Sequence, residues 1–194
     1  MKKFAILALC GAMMFSLAAC GKEEKKESTE ATEEAVAITD SLEVLTTVWG
    51  TYGDEEKFAV AGGDYNNSVM DAPGKFDVTD AVTLDTMLGV PEDGAALIDD
   101  AASIMHMMNA NTFTAGAYHM ADAANQEDFC TKLKDNILNR QWMCGFPDTL
   151  IVVTIGDEYV VSAFGAADVI ETFKTKLTTE YPMAEVMFEE NLAQ

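Results

Sequence analysis

Positive charge is scarce in this sequence. Its 194 residues hold 12 Lys and Arg against 33 Asp and Glu, a formal net charge of −21, and arginine occurs once, as Arg140. No basic stripe or Arg cluster is present, which excludes nucleic acid as a partner. An anionic membrane surface repels such a chain, so attachment to a membrane has to be covalent or apolar. Histidine is nearly absent. His106 and His119 stand alone, without HxH, HxxxH or Cys–His spacing, so no metal site is expected. No Gly-x-Ser-x-Gly occurs, and "AGGDYNN" lacks the Lys and the spacing of a phosphate loop. Twenty-seven acids lie beyond Ala35, so chance carboxylate pairs are unavoidable and point to no hydrolase. No catalytic residue and no cofactor is therefore assigned. Long apolar runs are also missing. The longest, Phe4 to Ala19, has 16 residues, short of the roughly 20 that span a bilayer.

That run is informative in another way. Met1-Lys2-Lys3 supplies a positive start, the apolar segment follows, and small residues close it, as in a secretory signal. It ends Leu17-Ala18-Ala19-Cys20, with Gly21 next. This resembles the bacterial lipoprotein signal, the lipobox, in every position. The resemblance implies cleavage before Cys20, a diacylglycerol thioether on Cys20 and an acylated N-terminus. Two or three acyl chains hold a protein on a bilayer where one does not, at about 0.8 kcal/mol per buried CH₂. The implied location is extracytoplasmic, anchored to the cell membrane by lipid. The alternative is an ordinary secretory signal with an incidental Cys.

Gly21 to Ala35, "GKEEKKESTEATEEA", has no aromatic residue and no apolar face. It cannot bury enough surface to offset its ordering entropy and reads as an acidic disordered tether. The organisation is thus residues 1–19 signal, 20–35 lipidated Cys and tether, and 36–194 one α+β domain. Losing Lys2 and Lys3 with the signal takes the charge from −21 to −23. The three Lys and six Glu of the tether account for three of those charges, leaving −20 on the domain.

Within the domain, Asp40 with Glu43 three residues on is a capping-box pattern. Leu42, Leu45, Val48 and Trp49 follow at helical spacing, which predicts a helix over 41–51. "KFAVAGG" (Lys57 to Gly63) reads as a short strand, and "GGDYNNSVMDAPGK" as loop. A short helix after Thr79 or Asp80, using Val82, Met87 and Leu88, stops at Gly89-Val90-Pro91. The next stretch admits a helix in its first half. Asn109-Ala110-Asn111 is a turn cluster, however, so the reading adopted is a hairpin of 103–108 and 112–120. A helix starting at Asn125 buries Phe129, Cys130, Leu133, Ile137 and Leu138 and ends near Gln141. "TLIVVTIGDEYVVSAFG" is a hairpin around Gly156-Asp157. A last amphipathic helix covers 166–179 on Val169, Ile170, Phe173 and Leu177, and the tail beyond has no decided shape.

The order β-β-α-β-β-α gives an antiparallel sheet from two hairpins, with helices packed on one face and one or two short N-terminal helices before it. The lipobox, the acidic tether and the "IVV…GDEYVV" hairpin with its closing helix are similar to a family of small uncharacterised lipoprotein domains of anaerobic gut Firmicutes. That likeness covers Ala101 to Thr179 and implies a fold, with no sites.

Asp64, Asn66 and Ser68 alternate as in a calcium loop. Val69 stands where glycine is needed, though, and Lys75 where a bidentate Glu is needed. A different calcium site from Asp64, Asp71, Asp77 and Asp80 stays open. Cys130 and Cys144 lie near opposite ends of one predicted helix, roughly 20 Å apart at 1.5 Å per residue. That is too far for a disulfide, and both are expected reduced. The leading functional expectation is a membrane-anchored binding or interaction module for an unknown protein or small-molecule ligand, with Tyr52, Tyr65 and Trp142 as candidate patch aromatics. A cell-envelope hydrolase and a transport accessory lipoprotein are the alternatives.

Overall fold

The computed structural model describes residues 37–143 and 146–192, which belong to one compact unit, Val36–Gln194. The lipobox with Cys20, the acidic segment and Cys144 lie outside the described residues.

Helix α1 runs over Ser41–Gly50. The Asp40 carboxylate accepts from the Glu43 N–H at 2.8 Å, while Glu43 reaches back to the Thr39 N–H at 2.7 Å. Asp40 thus satisfies one orphan N–H of the helix start, while Glu43 ties down the residue before the cap. Strands β1 (Val60–Gly62), β2 (Val69–Met70) and β3 (Gly74–Phe76) follow. β2 and β3 fall inside the stretch read as loop. Gly62 and Gly74 let β1 and β3 touch backbone to backbone: a Cβ on Gly62 would lie 2.2 Å from the Gly74 nitrogen. Helix α2 (Ala81–Thr83) passes into a π-helical turn, Leu84–Leu88, closed by Gly89 at φ 75°. Leu84 and Leu88 are buried there, whereas Val82, expected in the apolar stripe, is 77% exposed.

After a short helix α3 (Glu92–Ala95) come the two hairpins, β4 (Ile98–His106) with β5 (Phe113–Met120) and β6 (Thr149–Ile155) with β7 (Tyr159–Gly165). Helix α4 (Gln126–Leu138) separates them, and α5 (Ala167–Glu180) follows the second. Asn125 makes no side-chain cap to α4, and Leu138 lies outside the buried stripe. The tail forms a further strand, β8 (Ala184–Asn191), which pairs with β6. The α+β class holds: one eight-stranded antiparallel sheet ordered β2-β1-β4-β5-β7-β6-β8, with β3 also on β4. Among the described residues no helix is long and apolar enough to cross a membrane.

The single covered face is corrected. Helices pack on both faces. α1 and α5 cover one, where Val44, Leu45, Val48, Phe173 and Leu177 meet Ile104, Phe113, Ile151, Val153 and Val161. α4 and the π turn cover the other, where Phe129, Leu133, Ile137, Leu84 and Leu88 meet Ala101, Tyr118, Leu150, Val152 and Phe164. The physical reason lies in the strands. Val160 to Phe164 are buried without interruption, and a strand with one wet face would alternate.

Candidate binding cleft around Arg140

The two faces are finished differently. On the α1/α5 face the aromatics lock together: Trp49, Phe58, Phe113 and Phe173 form a chain of edge contacts at 5.4–5.5 Å between ring centres. The α4 face carries the buried Ser and Thr hydroxyls of the strands. The Tyr118 hydroxyl and Ser162 Oγ are 3.2 Å apart, Ser103 Oγ donates to the Gly63 carbonyl at 2.9 Å, and Thr114 Oγ1 donates to the Ala110 carbonyl at 2.9 Å. Beyond the C-terminus of α4 this face opens into a cleft of about 460 Å³.

Sheet register builds the cleft floor. Met70 pairs with Ala61, Ala61 with Met105, Met105 with Thr114 and Thr114 with Phe164. One row of side chains therefore crosses the sheet on the α4 face. Met105 and Phe164 of that row line the cleft, Met87 comes from the π turn, and Arg140, Trp142 and Met143 come from the segment after α4. Tyr65, 72% exposed, and Met143, 80% exposed, form the rim. Trp142 stands edge-on to Phe164 with 5.2 Å between ring centres.

Arg140 is held from two sides. Its guanidinium donates to the Thr86 carbonyl, which sits at the end of the π turn, where backbone acceptors lack helical partners. It also packs on the Trp142 ring, 5.1 Å from the centroid. Asn136 fixes the π turn to α4 by donating to Asp85 Oδ1 at 2.7 Å and to the Gly89 carbonyl at 2.9 Å. Partial burial pushes the Arg140 pKa down from its ordinary value, and the Asp85 charge pulls it back. Arginine stays protonated regardless. Five lysines sit in ion pairs: Lys75, Lys132, Lys134, Lys174 and Lys176. Among the described residues no carboxylate forms an ion pair with Arg140. Chemically, the cleft offers a fixed fork of N–H donors beside polarisable apolar walls.

The sequence-derived candidates fall in different places. Tyr65 and Trp142 come together in the cleft. Tyr52 does not: it is buried on the α1/α5 face, its hydroxyl has no hydrogen-bond partner among the described residues, and burial raises its pKa. His106 and His119 are separate. His106 Nδ1 accepts from the Met108 and Asn109 N–H groups, both at 3.2 Å, closing the β4–β5 turn. His119 lies 2.5 Å from Asp99 Oδ1.

The open calcium alternative meets carboxylates already in use. Asp64 is buried and accepts from the N–H groups of Asn66 at 2.7 Å, Asn67 at 2.9 Å and Asp77 at 2.9 Å, and from the Asn67 amide. Burial raises its pKa, but the Asn67 amide and those N–H groups outweigh it and leave the carboxyl below its ordinary value. Asp77 caps Thr79 and Asp80 caps Thr83. Among the described residues no group of three or more His, Cys, Asp or Glu is placed to hold a metal ion. A larger cavity, about 530 Å³, is lined by Asp80, Asp85 and Glu92 with Val82. It is an acidic hollow in which Asp80 is a cap and Asp85 holds Asn136. Cys130 is buried in the α4 stripe, and burial pushes its thiol up to about 12, which suits a small apolar core residue.

Met105 and Met143 were not singled out in the sequence, and Met87 was read only as part of a helix's apolar stripe. Met87, Met105 and Met143 are 18 or more residues apart, and only the strand register and the π turn bring them together. No family model, curated protein or solved structure matches the chain.

Proposed function

We propose that the protein is an extracytoplasmic lipoprotein, held on the cell membrane through lipid on Cys20, whose folded domain is a binding module with its site at the Arg140 cleft. The observation that carries the binding reading is Arg140 itself: partly buried, packed on Trp142, tied to the Thr86 carbonyl and ion-paired to none of the described carboxylates. A half-buried charge without a direct ion-pair partner is held at a cost, and a ligand would supply that partner. The lipobox and the acidic segment support the address, and the likeness of Ala101–Thr179 to a lipoprotein domain family belongs to the same proposal.

Two experiments test this. With the native chain and a Cys20→Ser variant in a bacterial host, the native protein partitions with the membrane fraction and carries acyl groups by mass spectrometry. The variant carries none. Equal membrane association without acylation of either overturns the anchor. For the site, envelope extracts are passed over native chain and over an Arg140→Gln, Trp142→Ala double variant. A ligand retained only by the native chain supports the cleft, and equal retention by both removes it.

A second reading, an envelope hydrolase, draws on His119 beside Asp99, a base with an orienting acid. Among the described residues no hydroxyl or thiol hydrogen-bonds to His119. Hydrolysis of acyl or glycosyl substrates that a His119→Gln change abolishes would favour it. The transport reading has less support, since Val36–Gln194 is one unit rather than two lobes closing on a solute.

A further inference from the structure

We infer that the Arg140 cleft takes a monocarboxylate attached to an apolar, preferably aromatic, group. The inference rests on the cleft being a binding site and adds the chemistry of its ligand.

The charge comes first. One guanidinium is presented, already fixed by the Thr86 carbonyl and the Trp142 ring. Its remaining N–H groups meet no acceptor among the described residues, and a planar fork of donors matches a carboxylate in a bidentate pair. A dianion fits poorly. Only Arg140 among the lining residues is cationic, the Asp85 charge already acts on it, and the domain carries −20. A second negative charge would find no cation of its own and would still meet that repulsion. A neutral ligand would leave the guanidinium without a direct ion-pair partner.

The apolar part follows from the walls. Met87, Met105, Trp142, Met143 and Phe164 line the cleft that the guanidinium shares. Thioether and aromatic surfaces accept a ring by stacking and by sulfur–ring contact. The volume, about 460 Å³, lies in the usual range of small-molecule pockets, roughly 300–1,000 Å³. Because the π turn and Asn136 already hold Thr86 and Arg140 in place, little ordering remains for the ligand to drive. The same chemistry can come from a free acid or from the C-terminal residue of a peptide.

The test uses the full chain in a non-ionic detergent, with calorimetry as the readout. Probes are acetate, phenylacetate, indole-3-acetate, phenylacetamide, phenyl phosphate, and a short peptide ending in Phe with a free or an amidated C-terminus. Phenylacetate or indole-3-acetate should bind at least tenfold tighter than acetate, phenylacetamide and phenyl phosphate. Arg140→Gln should lose at least tenfold, with Arg140→Lys between the two, and both variants should keep the native circular dichroism spectrum. If the free-ended peptide is the tightest binder and its amide fails, the source is a peptide terminus. If the small acids bind tighter, it is a free acid, and either result supports the inference. Equal binding of phenylacetate and phenylacetamide, or unchanged binding by Arg140→Gln, overturns the carboxylate while leaving a binding cleft. If no probe binds while envelope extract still yields a ligand held only by the native chain, the carboxylate inference alone fails. If neither binds, the site fails with it.

Discussion

The two faces of one sheet are made from the same strands and end differently. Along β6 and β7, alternate residues go to α1 and α5 on one side and to α4 on the other. The α1/α5 side is closed by interlocking aromatics, and its strands bury no Ser or Thr among the described residues. The α4 side buries Ser103, Thr114, Thr154 and Ser162 and stops short of the sheet end, where Arg140 stands. The difference teaches where stability and function separate. The closed side is close-packed and tolerates little change, whereas the open side keeps an unpaired charge and adaptable methionines at the surface.

That contrast can be broken at its strongest point first. Phe173→Ala removes a ring at the centre of the closed face, edge-on to Phe113. It should cost about 3–5 kcal/mol in denaturant unfolding, and a cost below about 1 kcal/mol would mean this face is not the close-packed one. Asp64→Asn comes next, because Asp64 folds the loop that carries Tyr65. It should cost about 1–3 kcal/mol at neutral pH. The sign with pH follows from the lowered pKa. The Asp64 contribution is full above the unfolded value near 4 and is lost as pH falls through the lower folded value. Native and variant stabilities should therefore converge in acid. A gap that stays constant from neutral to strongly acidic pH would mean the carboxylate charge is not what matters.

Smaller effects sharpen the polar side. Tyr118→Phe should cost about 1 kcal/mol by leaving Ser162 without its partner. Adding Ser162→Ala should recover part of that loss, and strictly additive costs would argue against the pair. Smallest of all, Arg140→Gln should change stability by less than about 0.5 kcal/mol if, as proposed, its side chain serves a ligand rather than the fold. A loss of several kcal/mol would make Arg140 a structural clamp.

Much of this fold was legible. The runs on either side of Gly156-Asp157 predict the β6–β7 hairpin because their residues favour strands and a Gly-containing turn joins them. The Asn109 to Asn111 cluster likewise separates β4 from β5. The second helical layer was misjudged, although the signal was present: "IVVTI" and "YVVSAF" are apolar on both faces, which only a doubly covered strand requires. β8 was missed because Glu185, Glu189 and Glu190 interrupt its apolar residues, and most of its side chains stay at the surface of an edge strand. Half of the cleft was also legible. A lone arginine and two candidate aromatics, Tyr65 and Trp142, were visible, but nothing in the sequence joins Met87, Met105 and Met143 to them. Their meeting depends on strand register and on a π turn, which residue spacing does not encode.

The central claim is that Arg140 awaits a ligand's carboxylate, and thermal unfolding of the full chain with and without indole-3-acetate tests it most directly. A ligand at one hundred times its Kd adds about 2.7 kcal/mol, which for a domain of this size raises Tm by roughly 5–10 °C. The native chain should show that rise, and Arg140→Gln at the same ligand concentration should show no more than about half of it. An equal rise in both, or no rise in the native chain at saturating ligand, would contradict the account.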